Sequence, residues 1–212
     1  MPNDVLGELL HSLSQPLTSL RCSLELSLDL ALEEGAEQRQ ERVGAALQQT
    51  ENVIGMIQLI REYLDAEQPA SGVRSTPLAP AMRSVIEELS SIAAVRNVRL
   101  LLVGTSTAKL CAAESQLRLA LQYLVAPMVE AQPVGGGVTL SLGEDTAGTL
   151  LRGEGEREFY NPSGTASTLR RMRLAIARRV LETAGASLVF GGGDVDPTGF
   201  VLRIPRAAVA PV

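Results

Sequence analysis

The chain contains a single histidine, His11, and imidazole suits the transfer of a phosphoryl group near neutral pH. A neutral ring nitrogen can attack phosphorus and later release the group, because the P–N bond is labile. The residues at helical spacing from His11 are polar or small: Asp4, Gly7, Glu8, Ser14, Gln15 and Thr18. His11 is therefore expected to face solvent or a shallow groove, either as a nucleophile or as an ordinary surface residue. Without a second histidine or paired cysteines, a metal site is not predicted.

Pro16 follows His11 by five residues within a predicted helix, a position that is normally costly for proline. This stretch resembles the phosphoacceptor box of bacterial sensor histidine kinases and has the sequence HSLSQPLTSL (11–20). The resemblance implies that His11 is the phosphoacceptor. In those kinases an acidic residue follows the histidine and acts as the base during attack on ATP. Here Ser12 takes its place, and a hydroxyl is a poor base.

The polar side chains near His11 suit the docking of a partner. The resemblance implies that the partners are response-regulator receiver domains, whose acidic pocket carries Mg²⁺. We therefore expect Ser14, Thr18 and Ser19 to form part of the docking surface. Gln15 lies one helical turn beyond His11. It either holds a water molecule for hydrolysis of a phosphorylated aspartate or is a solvent-facing amide.

Two long amphipathic helices are predicted at the N-terminus. The first spans 4–34, with leucines repeating every three or four residues, and is capped by Gly35. The second spans 37–67, and residues 69–72 form a linker. One hairpin cannot cover both apolar stripes, whereas two hairpins can, as a four-helix bundle. We therefore expect residues 1–70 to form a dimerisation and phosphoacceptor hairpin in a homodimer.

The remaining chain, 75–212, has the mixed pattern of an α/β sandwich, which makes the predicted fold class α+β. Helices are expected over 80–94, 114–131 and 166–184, with an interruption at Pro127. Strands are expected over 98–103, 109–112, 138–142, 186–190 and 200–204, with a short strand edge at 149–151.

This second segment resembles the ATP-binding lobe of the same kinases. Three stretches of sequence give the resemblance: QLRLALQYLVAPMVEAQPVGGGVTLSL (116–142), MRLAIARRVLETAGASLVF (172–190) and GFVLRIP (199–205). The residues that the family uses for nucleotide binding differ. Tyr123 and Pro127 take the places of two asparagines, the second of which binds Mg²⁺, and Leu151 takes that of the aspartate that reads adenine in a glycine-rich loop. Arg171 and Arg173 take the places of phosphate-cradling glycines. The resemblance therefore implies a degenerate lobe that has lost ATP.

Five arginines, Arg170, Arg171, Arg173, Arg178 and Arg179, fall near the position of the family's phosphate site. Such a cluster can bind a phosphorylated ligand. It can also be a solvated helix face or a protein-docking surface, which is the commoner use of such a run.

Charge and composition exclude some classes of function. The net charge of −5, with 3% aromatic residues and no tryptophan, argues against nucleic-acid binding. No membrane span or signal peptide is recognised, and a cytoplasmic location is expected. The favoured function is an ATP-free histidine phosphotransferase that passes a phosphoryl group between receiver-domain aspartates, binds no cofactor of its own and relies on Mg²⁺ in the receiver. The alternatives are an ATP-dependent sensor kinase core and a non-catalytic scaffold.

Overall fold

The computed structural model describes residues 13–14, 17–22, 24–25, 36–67, 75–159, 165–192 and 195–206. The chain divides into two compact units, Met1–Leu64 and Asp65–Val212. No helix in these described ranges has the length and hydropathy needed to span a membrane.

The first unit is helical wherever it is described. All ten described residues between 13 and 25 are helical, in agreement with the predicted first helix, whereas its remainder and the Gly35 cap lie outside the described residues. Helix α1 spans Ala36–Glu67 and confirms the predicted second helix to within one residue. The predicted linker at 69–72 also lies outside the described residues.

Helix α1 carries apolar side chains on two of its sides. Val53, Met56, Leu59 and Tyr63 are buried. A second set is 45–59% exposed and is spaced by three, four or seven residues, which keeps it on one side of the helix: Val43, Leu47, Ile54, Ile57 and Leu64. A helix with two apolar sides needs more than one packing partner.

The second unit contains a five-stranded mixed sheet covered on one face by three helices, which confirms the predicted α/β sandwich. The helices are α2 (Leu78–Val95), α3 (Glu114–Ala131) and α4 (Thr165–Thr183). The sheet has the order β2 (Arg99–Gly104), β4 (Gly137–Glu144), β5 (Gly148–Gly155), β7 (Val195–Pro205) and β6 (Ser187–Gly192). Strands β1 (Thr76–Pro77) and β3 (Lys109–Leu110) form a separate antiparallel pair. Within the five-stranded sheet only the β2–β4 pair is parallel.

The core lies between the helices and the inner face of the sheet. Alternate residues of the strands point inward, so that Leu140, Leu151 and Leu202 are fully buried. They share this interior with apolar side chains of α2 and α3, including Met82, Val85, Leu117, Leu121, Leu124 and Met128. This packing sets the positions of α3 and α4, which carry the residues singled out for nucleotide binding.

The predicted interruption at Pro127 is wrong, because α3 continues to Ala131. Proline removes one N–H from the helix and crowds the carbonyl four residues earlier. Pro127 is buried in a run of buried apolar residues, Leu124, Val125, Met128 and Val129. Burial of this face stabilises the helix enough to offset the lost hydrogen bond.

The short strand edge predicted at 149–151 is also wrong in its length and place. Strand β5 spans eight residues, Gly148–Gly155, and occupies the middle of the sheet, antiparallel to both β4 and β7. Glycines weaken the sequence signal for a strand, but here Gly153 is needed. A Cβ atom at Gly153 would overlap the ring of Phe200, which is fully buried and packs edge-on against Phe159.

We predict that Gly153→Ala lowers the free energy of unfolding by about 1–3 kcal/mol, because the new Cβ would overlap the ring of the fully buried Phe200. Urea denaturation of the full chain measures the change. Gly143→Ala on the neighbouring strand is the matched control, since a Cβ there meets no atom within 4 Å. Equal stability of the two variants would contradict the packing argument.

Candidate functional site

Three of the six site residues predicted on the first helix lie in its described part. Ser14, Thr18 and Ser19 are helical and exposed. The Thr18 hydroxyl donates to the Ser14 carbonyl at 2.8 Å, a bond that keeps this side chain on the helix surface. His11, Ser12 and Gln15 lie outside the described residues, so their predicted roles stay predictions.

Two of the described polar residues, Ser14 and Thr18, lie on the helix face where His11 is expected. Positions 11, 14 and 18 are spaced by three and four residues, and on a continuous helix they share one face. Ser14 and Thr18 are exposed, as that prediction requires of its neighbours. The described part of this face therefore carries two exposed hydroxyl-bearing residues.

The residues of the predicted nucleotide region form contacts within the second unit. Tyr123 and Pro127 lie one turn apart on α3, and Arg173 lies on α4. The guanidinium carbon of Arg173 is 5.7 Å from the centre of the Tyr123 ring, within cation–π range. Two of the residues that depart from the kinase pattern therefore contact each other, and the buried Pro127 offers no side-chain ligand.

Leu151 lies on a strand, as the strand edge predicted at 149–151 implies, and not in the glycine-rich loop that the family resemblance implies. It is in the middle of β5, paired with Leu142 and Leu202, and its side chain is fully buried. The strand runs on to Gly155 because its pairing to β7 continues to Gly153 and its pairing to β4 continues to Gly155. Leu151 is thus a core residue of the second unit.

Sequence reasoning did not single out Gln132, which ties the end of β5 to the end of α3. Its side chain is buried, and its Nε2 donates to the Met128 carbonyl at 3.0 Å. Its Oε1 accepts from the Glu156 backbone N–H at 2.8 Å. The Glu156 carboxylate in turn accepts from the Gly137 N–H at 3.0 Å. A lone glutamine after a helix gives no sequence signal for such a role.

The five arginines of α4 are engaged with other residues of the chain. Arg170 lies 3.7 Å from the Glu130 carboxylate, and Arg178 lies 5.1 Å over the Phe190 ring and 3.9 Å from Glu182. Arg171 and Arg179 also have interaction partners. These contacts fit a structural or docking face, while the Nε of Arg173 is buried without a hydrogen-bond partner among the described residues.

Comparison with known structures identifies the fold. The chain is similar to the Acinetobacter baumannii histidine kinase AdeS, with a TM-score of 0.65 and 14% sequence identity over 92% of this chain and 97% of that one. It is also similar to full-length ShkA, solved in complex with AMPPNP, with a TM-score of 0.57 and 17% identity over 97% of this chain and 46% of ShkA. No family model and no curated protein matches the sequence. The chain has the fold of a histidine kinase catalytic core.

Proposed function

We propose that the chain is a histidine phosphotransferase of a two-component phosphorelay, with His11 carrying a phosphoryl group between receiver-domain aspartates without ATP. Two observations support the proposal. The fold is that of a histidine kinase core, and Tyr123, Pro127 and Arg173 take the positions that the sequence resemblance assigns to nucleotide-binding residues. The fold alone fits an ATP-dependent kinase equally well, and ShkA, with the same fold, was solved with AMPPNP. Transfer from a phosphorylated receiver in the absence of ATP separates the two functions.

The proposed reaction moves one phosphoryl group and leaves both proteins intact. A ring nitrogen of His11 attacks the phosphorus of a receiver's aspartyl phosphate, the P–N bond forms, and the P–O bond to the aspartate breaks. The aspartate leaves as a carboxylate, and the reverse reaction on a second receiver regenerates His11. The receiver would supply Mg²⁺ for the developing charge, so this chain needs no metal site of its own.

The same chemistry explains why Ser12 is acceptable after His11. A strong base at that position assists attack on ATP, whereas an aspartyl phosphate is already activated and has a good leaving group. Gln15 is proposed to contact the docked receiver, where its amide could hold a water molecule for phosphate hydrolysis. Ser14, Thr18 and Ser19, exposed on the same helix, complete the proposed docking surface.

We also propose that the active form is a homodimer through the first unit. Leu17 and Leu24, seven residues apart, are about half exposed, as are Ile54 and Ile57 on α1. These spacings are those of a helical bundle seam. A second copy presents the same exposed stripes and can bury them by two-fold symmetry.

Ile57→Glu is expected to convert the dimer to a monomer, because the two-fold axis would bury two unpaired carboxylates. Since Ile57 is 48% exposed within one chain, the helix itself should persist. Sedimentation velocity of the wild-type chain and the variant at about 10 μM measures the change, and the dimer dissociation constant should rise at least roughly 100-fold. Gln48→Glu adds the same charge at an exposed position off the stripe and should stay dimeric. A monomeric wild-type chain would contradict the proposal.

A further inference from the structure

A cavity of about 390 Å³ lies where β5 begins, at the opposite end of this strand from Gly155. The ends of β5 are seven residues apart, which corresponds to about 23 Å along an extended strand. The walls come from the segment before β3, the end of β4, the start of β5 and the end of β7, and they include Thr107, Lys109, Glu144, Thr149, Ile204 and Arg206. Its volume is in the range of small-molecule sites.

The charges on the wall favour an anion. Lys109 is the only lysine of the chain, and Arg206 is a second cation on the same wall. Among the described residues, neither of these two side chains has an ion pair or a hydrogen bond, unlike the arginines of α4. Glu144 is the single acidic group lining the cavity, and it accepts a hydrogen bond from Thr107 at 3.4 Å. Two uncommitted cations therefore face one carboxylate.

A hydroxyl donor is also left over in the wall. Ser106 Oγ and Thr149 Oγ1 are 3.2 Å apart, and Ser106 Oγ already accepts from the Ala108 N–H at 3.0 Å. One hydroxyl hydrogen satisfies the pair, whichever atom donates, and the other hydrogen stays available. Thr149 is buried and lines the cavity, so when Ser106 donates, Thr149 can donate to a ligand.

We propose that this cavity binds a small carboxylic acid, with its carboxylate held by Lys109 and Arg206 and its apolar part against Ile204 and Pro205. A guanidinium matches the two oxygens of a carboxylate, and the hydroxyl offers a further donor. A phosphate dianion fits less well, because Glu144 would repel it more strongly than a single carboxylate charge. The site is independent of phosphoryl transfer at His11.

Hexanoate is the probe, because it joins a carboxylate to a short apolar chain. Titration into the full ¹⁵N-labelled chain should shift the amide signals of Ala108, Gly148 and Thr149 and saturate with a dissociation constant of about 1 mM. Lys109→Gln combined with Arg206→Gln should weaken binding at least tenfold. Both side chains are exposed, and the same spectra report whether the variant is folded.

Arg99→Gln combined with Arg152→Gln removes the same charge from exposed residues outside the cavity and should bind hexanoate as the wild type does. 1-Hexanol tests the apolar wall alone, and hexyl phosphate tests the choice of anion. Three results would each overturn the proposal: no saturation by about 50 mM hexanoate at neutral pH, equal hexanoate binding by the Lys109→Gln/Arg206→Gln variant, or binding of 1-hexanol as tight as that of hexanoate. Tighter binding of hexyl phosphate would overturn the assignment to carboxylates.

Discussion

His11→Ala is expected to take up no phosphoryl group from a ³²P-labelled receiver domain, whereas the wild-type chain becomes labelled without ATP. The loss should be complete, because the sequence has no other histidine that could replace this nucleophile. A phosphohistidine survives alkali, while an aspartyl phosphate hydrolyses, so alkaline treatment before electrophoresis identifies the labelled group. The fold should be unaffected, because a substitution at a solvent-facing position costs within roughly 0.5 kcal/mol.

Cys22→Ser is the matched control for this experiment. Cys22 is exposed on the same helix and has no part in the proposed reaction, so its variant should be labelled as fast as the wild type. Circular dichroism and sedimentation of His11→Ala establish that its helices and its assembly are retained. Alkali-stable label in His11→Ala would refute the phosphotransferase function. An unlabelled wild type, with a receiver known to transfer to another histidine, would favour the non-catalytic scaffold.

The elements with strong periodicity were predictable from the sequence. Helix α1 and the helix α2 carry apolar residues at helical spacing, and β4 alternates between buried and partly exposed residues. Their positions were therefore predicted to within a few residues. These local patterns suffice because each element buries one continuous face.

The full length of strand β5 was not predictable in the same way, because tertiary packing rather than local sequence pattern makes this stretch a strand. Its second half, Arg152-Gly153-Glu154-Gly155, has the composition of a turn. Gly153 is there because Phe200 fills the space beside it, and pairing with two neighbours holds the backbone extended. The strand edge predicted at 149–151 therefore stopped four residues short of Gly155, where β5 ends.

Local sequence patterns also could not predict contacts between segments that are distant in the chain. The substitutions at Tyr123 and Arg173 were visible in the sequence, but their cation–π contact depends on how α3 packs against α4. The cavity beside Lys109 is built from segments about one hundred residues apart. The proposal of His11 as phosphoacceptor, by contrast, depends on a short sequence motif that needs no structure to be noticed.

The nucleotide region gives the second large expected effect: no saturable binding of Mg-ATP at millimolar concentrations. Loss of one hydrogen bond that leaves a partner unpaired costs about 1–3 kcal/mol. Pro127 supplies no metal ligand, and the Tyr123 ring lies against Arg173. Loss of the metal ligand together with the glycine cradle should exceed the roughly 4 kcal/mol that separates micromolar from millimolar affinity. Leu151 adds nothing to this argument, since it is a core residue.

Isothermal calorimetry with Mg-ATP and incubation with γ-³²P-ATP test this expectation on one preparation of the full chain. Labelling of the same preparation by a phosphorylated receiver shows that the protein is folded and His11 reactive, so that a negative ATP result has meaning. The interactions of the α4 arginines within the chain leave them poorly placed to compensate for the lost ligands. Saturable binding below about 100 μM, or label from ATP that His11→Ala abolishes, would instead identify an ATP-dependent kinase. Label from the receiver alone, with none from ATP, is the outcome that only a phosphotransferase produces.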